Sequence, residues 1–433
     1  MNERYTTVLP SAGRLMVSLR DIGYDAPGAI ADLVDNAIDA NARNVAIEIV
    51  AKGPDSWIRT ADDGIGMTPS RLDEAMRYGT EAEYGPRALG HFGLGLKTAS
   101  LSQCRRLTVA SRARGGRRVA VRRWDLDDVL LRNSWDLERP RAAECPDRVI
   151  GPLANDSHGT VVLWENLDRV IPRRPTDGMT ARVLRTVTAE VRTHLAMVFH
   201  RFLDGEAFGR RARLTVTLNG EPITGWDPFA RDEAHTRRLP IQQLEYAEAD
   251  GRTIIAEVHP YVLPGQQFFS TPEAHRAAGG PARWNRHQGF YIYRRDRLIQ
   301  AGGWNRLRTL DEHAKLARIA IDLPIGEEDR FAVDIAKMRV SIPEELRPTL
   351  RTVASVVVAV AQESYRDHLD AHTAAATIAS EPATPEAISI SRDWPAIMAV
   401  VEKVLGDDLG LRDRLLLALA NADPEDAALV NPG

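Results

Sequence analysis

Apolar positions along the first third of the chain switch between two periods. From Ala26 to Ala40, Ile30, Leu33, Val34, Ala37 and Ile38 recur at helical spacing and Pro27 suits a first turn, which predicts an amphipathic helix whose other side is acidic. Asn44 to Val50 then alternates, with Val45, Ile47 and Ile49 against Ala46 and Glu48, and Ser56 to Ala61 is a second extended run ending at Asp62. A glycine-punctuated segment, Gly64 to Gly95, leads to strand-like runs at Arg106 to Ser111, Arg118 to Trp124 and Thr160 to Trp164. Residues 1–170 therefore read as helices laid on one face of a largely antiparallel sheet, an α+β arrangement.

Ile171 to Asp177, with two prolines and two arginines, reads as a hinge into a second unit over 171–348. That unit is expected to hold a helix near Ala181 to Phe202 and strands at Arg213 to Leu218, Gly289 to Arg294 and Ala317 to Leu323. A helical C-terminal region, 349–433, follows, with a helix over Leu350 to Leu369 and an Ala/Thr/Ser/Pro-rich linker at 374–387. Beyond Trp394, the residues Ile397, Met398, Val401, Val404 and Leu405 share one face, a pattern for a docking or dimerising helix.

Composition narrows the function classes. The 433 residues are 44% hydrophobic and 27% charged with a net charge of -4, which suits a globular chain of two or three domains and gives no global signal for binding polyanions. No run approaches the roughly 18 apolar residues of a membrane span, and the N-terminus lacks a secretory apolar core. Cys104 and Cys145 are the only cysteines, too few for a four-ligand zinc site, and a reducing cytoplasm is the expected location. Basic residues are overwhelmingly arginine; lysine occurs only at 52, 97, 315, 337 and 403.

Three elements in fewer than seventy residues carry the chemistry. Asp32 and Asn36 are four apart on the predicted helix, so carboxylate and neutral oxygen project together. The pair suits a hydrated divalent cation on a polyphosphate, Asn36 as ligand and Asp32 orienting or deprotonating a water; a solvated helix face has the same spacing. Asp62 ends a strand before Gly64-Ile65-Gly66, where its carboxylate can accept a hydrogen bond from the exocyclic amine of a base; tight turns after strands use the same residues. Gly90 to Gly95 feed a helix start over Leu96 to Leu101, a place where backbone amides and Lys97 bind phosphate. A dinucleotide fold is disfavoured because no strand-helix-strand unit precedes the glycines, and the GxxxxGK[ST] loop is absent.

The blocks LVDNAIDA, DDGIGM and LGHFGLGLKTAS resemble the N-box, DxGxG box and GxxGxG box of the GHKL ATPases, the superfamily of gyrase B subunits, heat-shock chaperones, histidine kinases, MutL and MORC proteins, and are most similar to the MORC and MutL branch. The resemblance spans roughly residues 12–170 and implies a Bergerat two-layer α/β sandwich that binds ATP and Mg2+. It assigns Asn36 to Mg2+ and Asp62 to the adenine amine. Gly64, Gly66 and Met67 go to the adenine pocket, and Gly90, Gly93, Leu94, Gly95 and Lys97 to the phosphates. Thr160 falls beside Asp62, and residues 68–92 become an ATP lid. Where relatives carry a glutamate this chain has Asp32, one methylene or about 1.5 Å shorter, so hydrolysis is expected to be weak.

The same resemblance makes 171–348 a ribosomal-protein-like transducer domain with Lys337 as the lysine that reaches the γ-phosphate. It also implies an ATP-dependent homodimer that acts on DNA with a nuclease or helicase partner, in a restriction- or phage-defence-like setting. A nucleotide-gated scaffold and a chaperone-like clamp are the alternatives. No phosphoacceptor box precedes the helix, which disfavours a kinase. Arg105, Arg106, Arg112, Arg114, Arg117, Arg118, Arg122 and Arg123 form either a ridge for a DNA backbone or a solvated strand face, and Trp124, Trp164, Trp284 and Trp304 read as core or domain-contact residues.

Overall fold

The alternating segment becomes β1 (Asn44–Val50), which pairs antiparallel with β2 (Trp57–Asp62) so that Val45 lies opposite Asp62. The structure, a computed structural model, describes residues 10–21, 23–79, 95–171, 176–208, 212–247, 253–324, 326, 331 and 340–378. With β3 (Arg106–Arg112), β4 (Ala120–Asp125), β5 (Gly159–Glu165), β6 (Thr215–Leu218) and β7 (Glu221–Pro222), these strands make a seven-stranded sheet in the order β4-β3-β5-β2-β1-β6-β7. Only the β1–β6 pair is parallel.

The accompanying helices are α1 (Ala12–Leu19), α2 (Ala26–Asp39), α3 (Pro69–Ala75), α4 (Gly95–Leu101), α5 (Leu126–Arg132), α6 (Asp147–Ile150), α7 (Asp177–Val198) and α8 (His200–Asp204). Pro27 lies in the first turn of α2, and the Asp25 carboxylate caps it by accepting from Gly28 N at 2.8 Å. Ile30, Leu33 and Val34 join Val45, Ile47, Ile58 and Trp164 from the sheet and Leu184, Val191 and Leu195 from α7 in the main core. Each such side chain stabilises the fold by about 1.5–3 kcal/mol on burial. The sheet is not bare on its other side. Val149 of α6 and Leu153 cover Ala61, Ala110, Val121, Val161 and Leu163 there, which explains why β3 and β5 read as near-continuous apolar runs.

The division of the chain falls later than expected. Two compact units are present, the main body of the first ending at Gly225 and the second beginning at Trp226, rather than dividing at 170. The physical reason is that α7 packs on α2 and β6 extends the first sheet beside β1. The second unit contains β8 (Arg237–Arg238), β9 (Gln242–Ala247), β10 (Thr253–Val262), α9 (Pro272–Ala278), β11 (Gly289–Arg294), β12 (Arg297–Ala301) from Leu298 on, β13 (Ala317–Leu323) and α10 (Arg347–Ile378). Its sheet runs β12-β11-β13-β10-β8, with β9 also on β10, and Leu350, Ala354, Val357 and Val358 of α10 pack in its core. Arg318 is wholly buried there: it donates to the carbonyls of Pro228 and Ala278 and stands 5.4 Å from the Trp284 ring centroid and 5.7 Å from that of Trp226. The helix α10 runs to Ile378, so residues 374–378 are helical where a linker was expected; the rest of that linker and the helix after Trp394 lie outside the described residues.

Candidate functional site

Twelve of the fourteen residues of α2 are buried, Asp39 is half-buried, and Asn36 is exposed. The acidic side of this helix is therefore interior, with Asp32 4% and Asp35 1% accessible. Asp32, Asn36 and Ala40 stand at i, i+4 and i+8 on one stripe, about 12 Å from end to end. Gly95, the first residue of α4, meets the Asp32 end: a Cβ placed on it would lie 3.2 Å from Asp32 Oδ2. At the other end Gly64 meets Ala40, and Ile65 N donates to the Ala40 carbonyl at 2.9 Å. A Cβ on Gly64 would come within 2.8 Å of that carbonyl, so a side chain there would drive the turn off the helix.

Asp62 lies at the end of β2 beside this turn. Its Oδ1 accepts from Gly64 N at 2.8 Å, and burial raises its pKa to about 6, against the lowering effect of that hydrogen bond. Thr160 is its cross-strand neighbour on β5. Ser111 ties the surroundings together: its hydroxyl lies 3.0 Å from Thr160 Oγ1, donates to the Gly159 carbonyl at 2.8 Å and accepts from Met67 N at 2.8 Å. Gly66 has φ +61° and lies so close to β3 that a Cβ would sit 1.9 Å from the Arg112 carbonyl. A ring nitrogen of His158 is 2.8 Å from the Gly64 carbonyl. Ser111 and His158 were missed in the sequence, where neither stands in a motif. A hydroxyl closing the apolar run of β3 was the one available signal for Ser111.

Residues 24–160 match the family described as histidine kinase-, DNA gyrase B- and HSP90-like ATPases. The chain is also similar to the ATPase morc-1 of Caenorhabditis elegans, 33% identical over 87 residues, which are 20% of this chain and 10% of that protein. It is similar to the DNA mismatch repair protein MutL of Caulobacter vibrioides, 35% identical over 98 residues, 21% of this chain and 15% of that one, and to the MutL of Kosmotoga olearia, 36% identical over 69 residues, 16% and 11%. Residues 24–160 form a GHKL-type domain. The chain spans no more than about a seventh of the length of these relatives.

Within residues 24–160 Asp62, Gly64, Gly66, Met67 and Thr160 gather around the turn that meets Ala40, Gly95 lies against Asp32 at the other end, and Asn36 stands exposed between the two ends on α2. Gly90, Gly93, Leu94 and Lys337 lie outside the described residues, as does most of the proposed lid. Lys97 is buried, and its Nζ donates to the Ala75 carbonyl at the end of α3 at 2.9 Å, with burial lowering its pKa to about 8. Asn36 fits a magnesium ion by donor type and by exposure, since Mg2+ takes one or two protein oxygens and completes its shell with waters and phosphates. Among the described residues no group of three acidic, His or Cys side chains could hold an ion unaided.

The arginine stretch resolves into two classes. Arg105 pairs with Asp127 and Asp168, Arg106 with Asp125, Arg112 with Asp156, Arg122 with Asp73 and Arg123 with Glu138. Arg114, Arg117 and Arg118, on the turn between β3 and β4, are exposed and have no carboxylate partner among the described residues. The expected ridge of eight thus narrows to three. The turn is tied to the Gly64–Gly66 segment, because Arg114 N donates to the Ile65 carbonyl at 2.8 Å. Trp124, Trp164 and Trp304 are buried in cores as expected, and Trp284 packs on His275 with ring centroids 4.8 Å apart. No helix among the described residues is long and apolar enough to cross a membrane.

Proposed function

We propose that the chain is an ATP-binding conformational switch of the MORC- and MutL-like kind, which hydrolyses ATP slowly and acts on DNA with partner proteins. The observation that supports this best is the stripe Asp32, Asn36, Ala40, closed at one end by Gly95 and at the other by the Asp62–Gly66 turn. Its length is of the order of an extended nucleoside triphosphate, with the acidic and glycine-lined ends at the reacting phosphate and the base respectively. In this reading Asp62 accepts the adenine amine, Gly64, Gly66 and Met67 shape the base pocket, and Thr160 lies beside it. Gly90, Gly93, Leu94 and Gly95 hold the phosphates through backbone amides, and Lys97 joins them on leaving the Ala75 carbonyl. Asn36 holds Mg2+, which when bound offsets phosphate charge. Asp32 orients and deprotonates the attacking water.

The second unit acts in this reading as a transducer, with Lys337 reporting the γ-phosphate, and the helical region beyond residue 349 as an extension. ATP closes the lid over 68–92 and lets two copies meet through their N-terminal domains. The three exposed arginines favour a phosphodiester backbone as the macromolecular ligand, with cleavage or unwinding left to a nuclease or helicase partner in a cytoplasmic, restriction- or phage-defence-like system. The short reach of Asp32 favours one second reading, a nucleotide-gated scaffold without turnover. Phosphate release with and without duplex DNA, alongside mass measurement with a non-hydrolysable ATP analogue, tests the set. DNA-stimulated release and analogue-dependent doubling of mass are expected. Tight ATP binding without release supports the scaffold, and an absence of nucleotide binding refutes both.

A further inference from the structure

The candidate base has a partner that no motif announces. Tyr24 precedes the N-cap of α2 and is buried, and its hydroxyl donates to Asp32 Oδ2 at 2.8 Å across eight residues of sequence. It is braced from behind. Gln103 Nε2 donates to the Tyr24 carbonyl at 2.9 Å and to Ser102 Oγ at 2.8 Å, and both of these residues follow directly on α4. The first residue of the same helix, Gly95, closes on Asp32 Oδ2. One short helix therefore starts beside the carboxylate and leads directly into the residue that anchors the tyrosine. Burial, and then the charge of Asp32, push the Tyr24 hydroxyl far above its ordinary value, so it remains a donor at every working pH.

We propose that Tyr24 is the positioning residue of Asp32, fixing the plane of the carboxylate so that a side chain one methylene short of glutamate is held in one orientation toward the water it activates. This rests on the reading of Asp32 as the general base. The physical case is a balance of two effects. A hydrogen bond to the charged form of a carboxylate in general makes it a weaker base, which works against proton abstraction. Displacement of a base by about 1 Å can cost on the order of a hundredfold, so in a short side chain orientation outweighs the loss of basicity.

The test uses the full chain, with turnover read as phosphate release and affinity by calorimetry with a non-hydrolysable ATP analogue and Mg2+. Tyr24→Phe removes one oxygen and keeps the ring, and circular dichroism confirms the fold. It is expected to lower kcat about ten- to a hundredfold with KM and analogue affinity unchanged. Asp32→Asn is expected to lower turnover on the order of a thousandfold, to a residual rate that is still measurable, and adding Tyr24→Phe to it to change that residual rate no further. Wild-type kcat in Tyr24→Phe with a slowed Asp32→Asn overturns the positioning role and leaves the base standing. A parallel loss of analogue binding in Tyr24→Phe, or a further fall when it is added to Asp32→Asn, overturns it as well, since either shows an action other than through Asp32. Full turnover in Asp32→Asn, or none in the wild type, overturns both.

Discussion

Replacing Asp62 by asparagine separates what the residue costs the fold from what it offers a nucleotide. Burial is the largest influence on Asp62 and raises its pKa from 3.8 to about 6, so the native state holds this proton more tightly than the unfolded chain. The associated stabilisation is complete below about pH 4 and lost as pH rises through about 6. At about 1.4 kcal/mol per pH unit, the ionised carboxylate destabilises the nucleotide-free protein by up to about 3 kcal/mol at pH 7.5. Partial access to water reduces this to about 1–3 kcal/mol. Asparagine keeps the shape and can still accept from Gly64 N. In urea denaturation Asp62→Asn is therefore expected to exceed the wild type by about 1–3 kcal/mol at pH 7.5, the difference vanishing at pH 4, where all other groups cancel. Affinity for an ATP analogue is expected to fall about tenfold or more, because a charge-assisted acceptor is lost. Equal stability at both pH values refutes the electrostatic argument, and unchanged affinity refutes the base-reading role.

Three further outcomes follow from the geometry. Gly66→Ala, forced into φ +61° and a 1.9 Å approach to the Arg112 carbonyl, should cost about 3 kcal/mol or more in urea denaturation, and an unchanged midpoint refutes the close packing of that turn. Joint replacement of Arg117 and Arg118 by alanine should weaken binding to random-sequence duplex DNA and reduce the salt slope by about two; Arg123→Ala, already paired with Glu138, serves as the control, and an equal effect there sinks the distinction between the two arginine classes. Arg318→Leu leaves the Pro228 and Ala278 carbonyls without their donor and should destabilise the second unit by about 3 kcal/mol or more; wild-type melting excludes a structural role for the buried guanidinium.

Local periodicity carried much of the first sheet. The helix expected from Ala26 and the strands expected at 44–50, 106–111 and 160–164 appear within one residue of those bounds, because each has one dominant apolar face or a run buried on both. The division at Gly225 was not legible and was expected at 170, since the parallel pairing of β6 with β1 joins residues far apart in sequence and leaves no local mark. Site residues inside motifs were visible for the same reason that makes the others invisible. Asn36, Asp62 and Gly64 sit at fixed short offsets, whereas Tyr24, Ser111 and His158 reach the site through strand register and loop return.

The interior of α2 bears on how the site should be read. In sequence the Asp32–Asn36 spacing suited either a cation-and-water site or a solvated face, and the second would have made it uninformative. Small residues, Gly28, Ala29, Ala31 and Ala37, let neighbours close around the helix on nearly every side, so Asp32 is buried and the exposed position is Asn36. A buried carboxylate is expensive unless hydrogen-bonded, and an alanine in its place would serve the packing as well. A tyrosine brought in from outside the helix to satisfy that carboxylate, and a glycine where a Cβ would lie 3.2 Å from its oxygen, are features that packing alone does not require. The arrangement makes sense if the acid is retained for chemistry at that point on the stripe, and the loss of turnover without loss of folding in Asp32→Asn is what that argument demands.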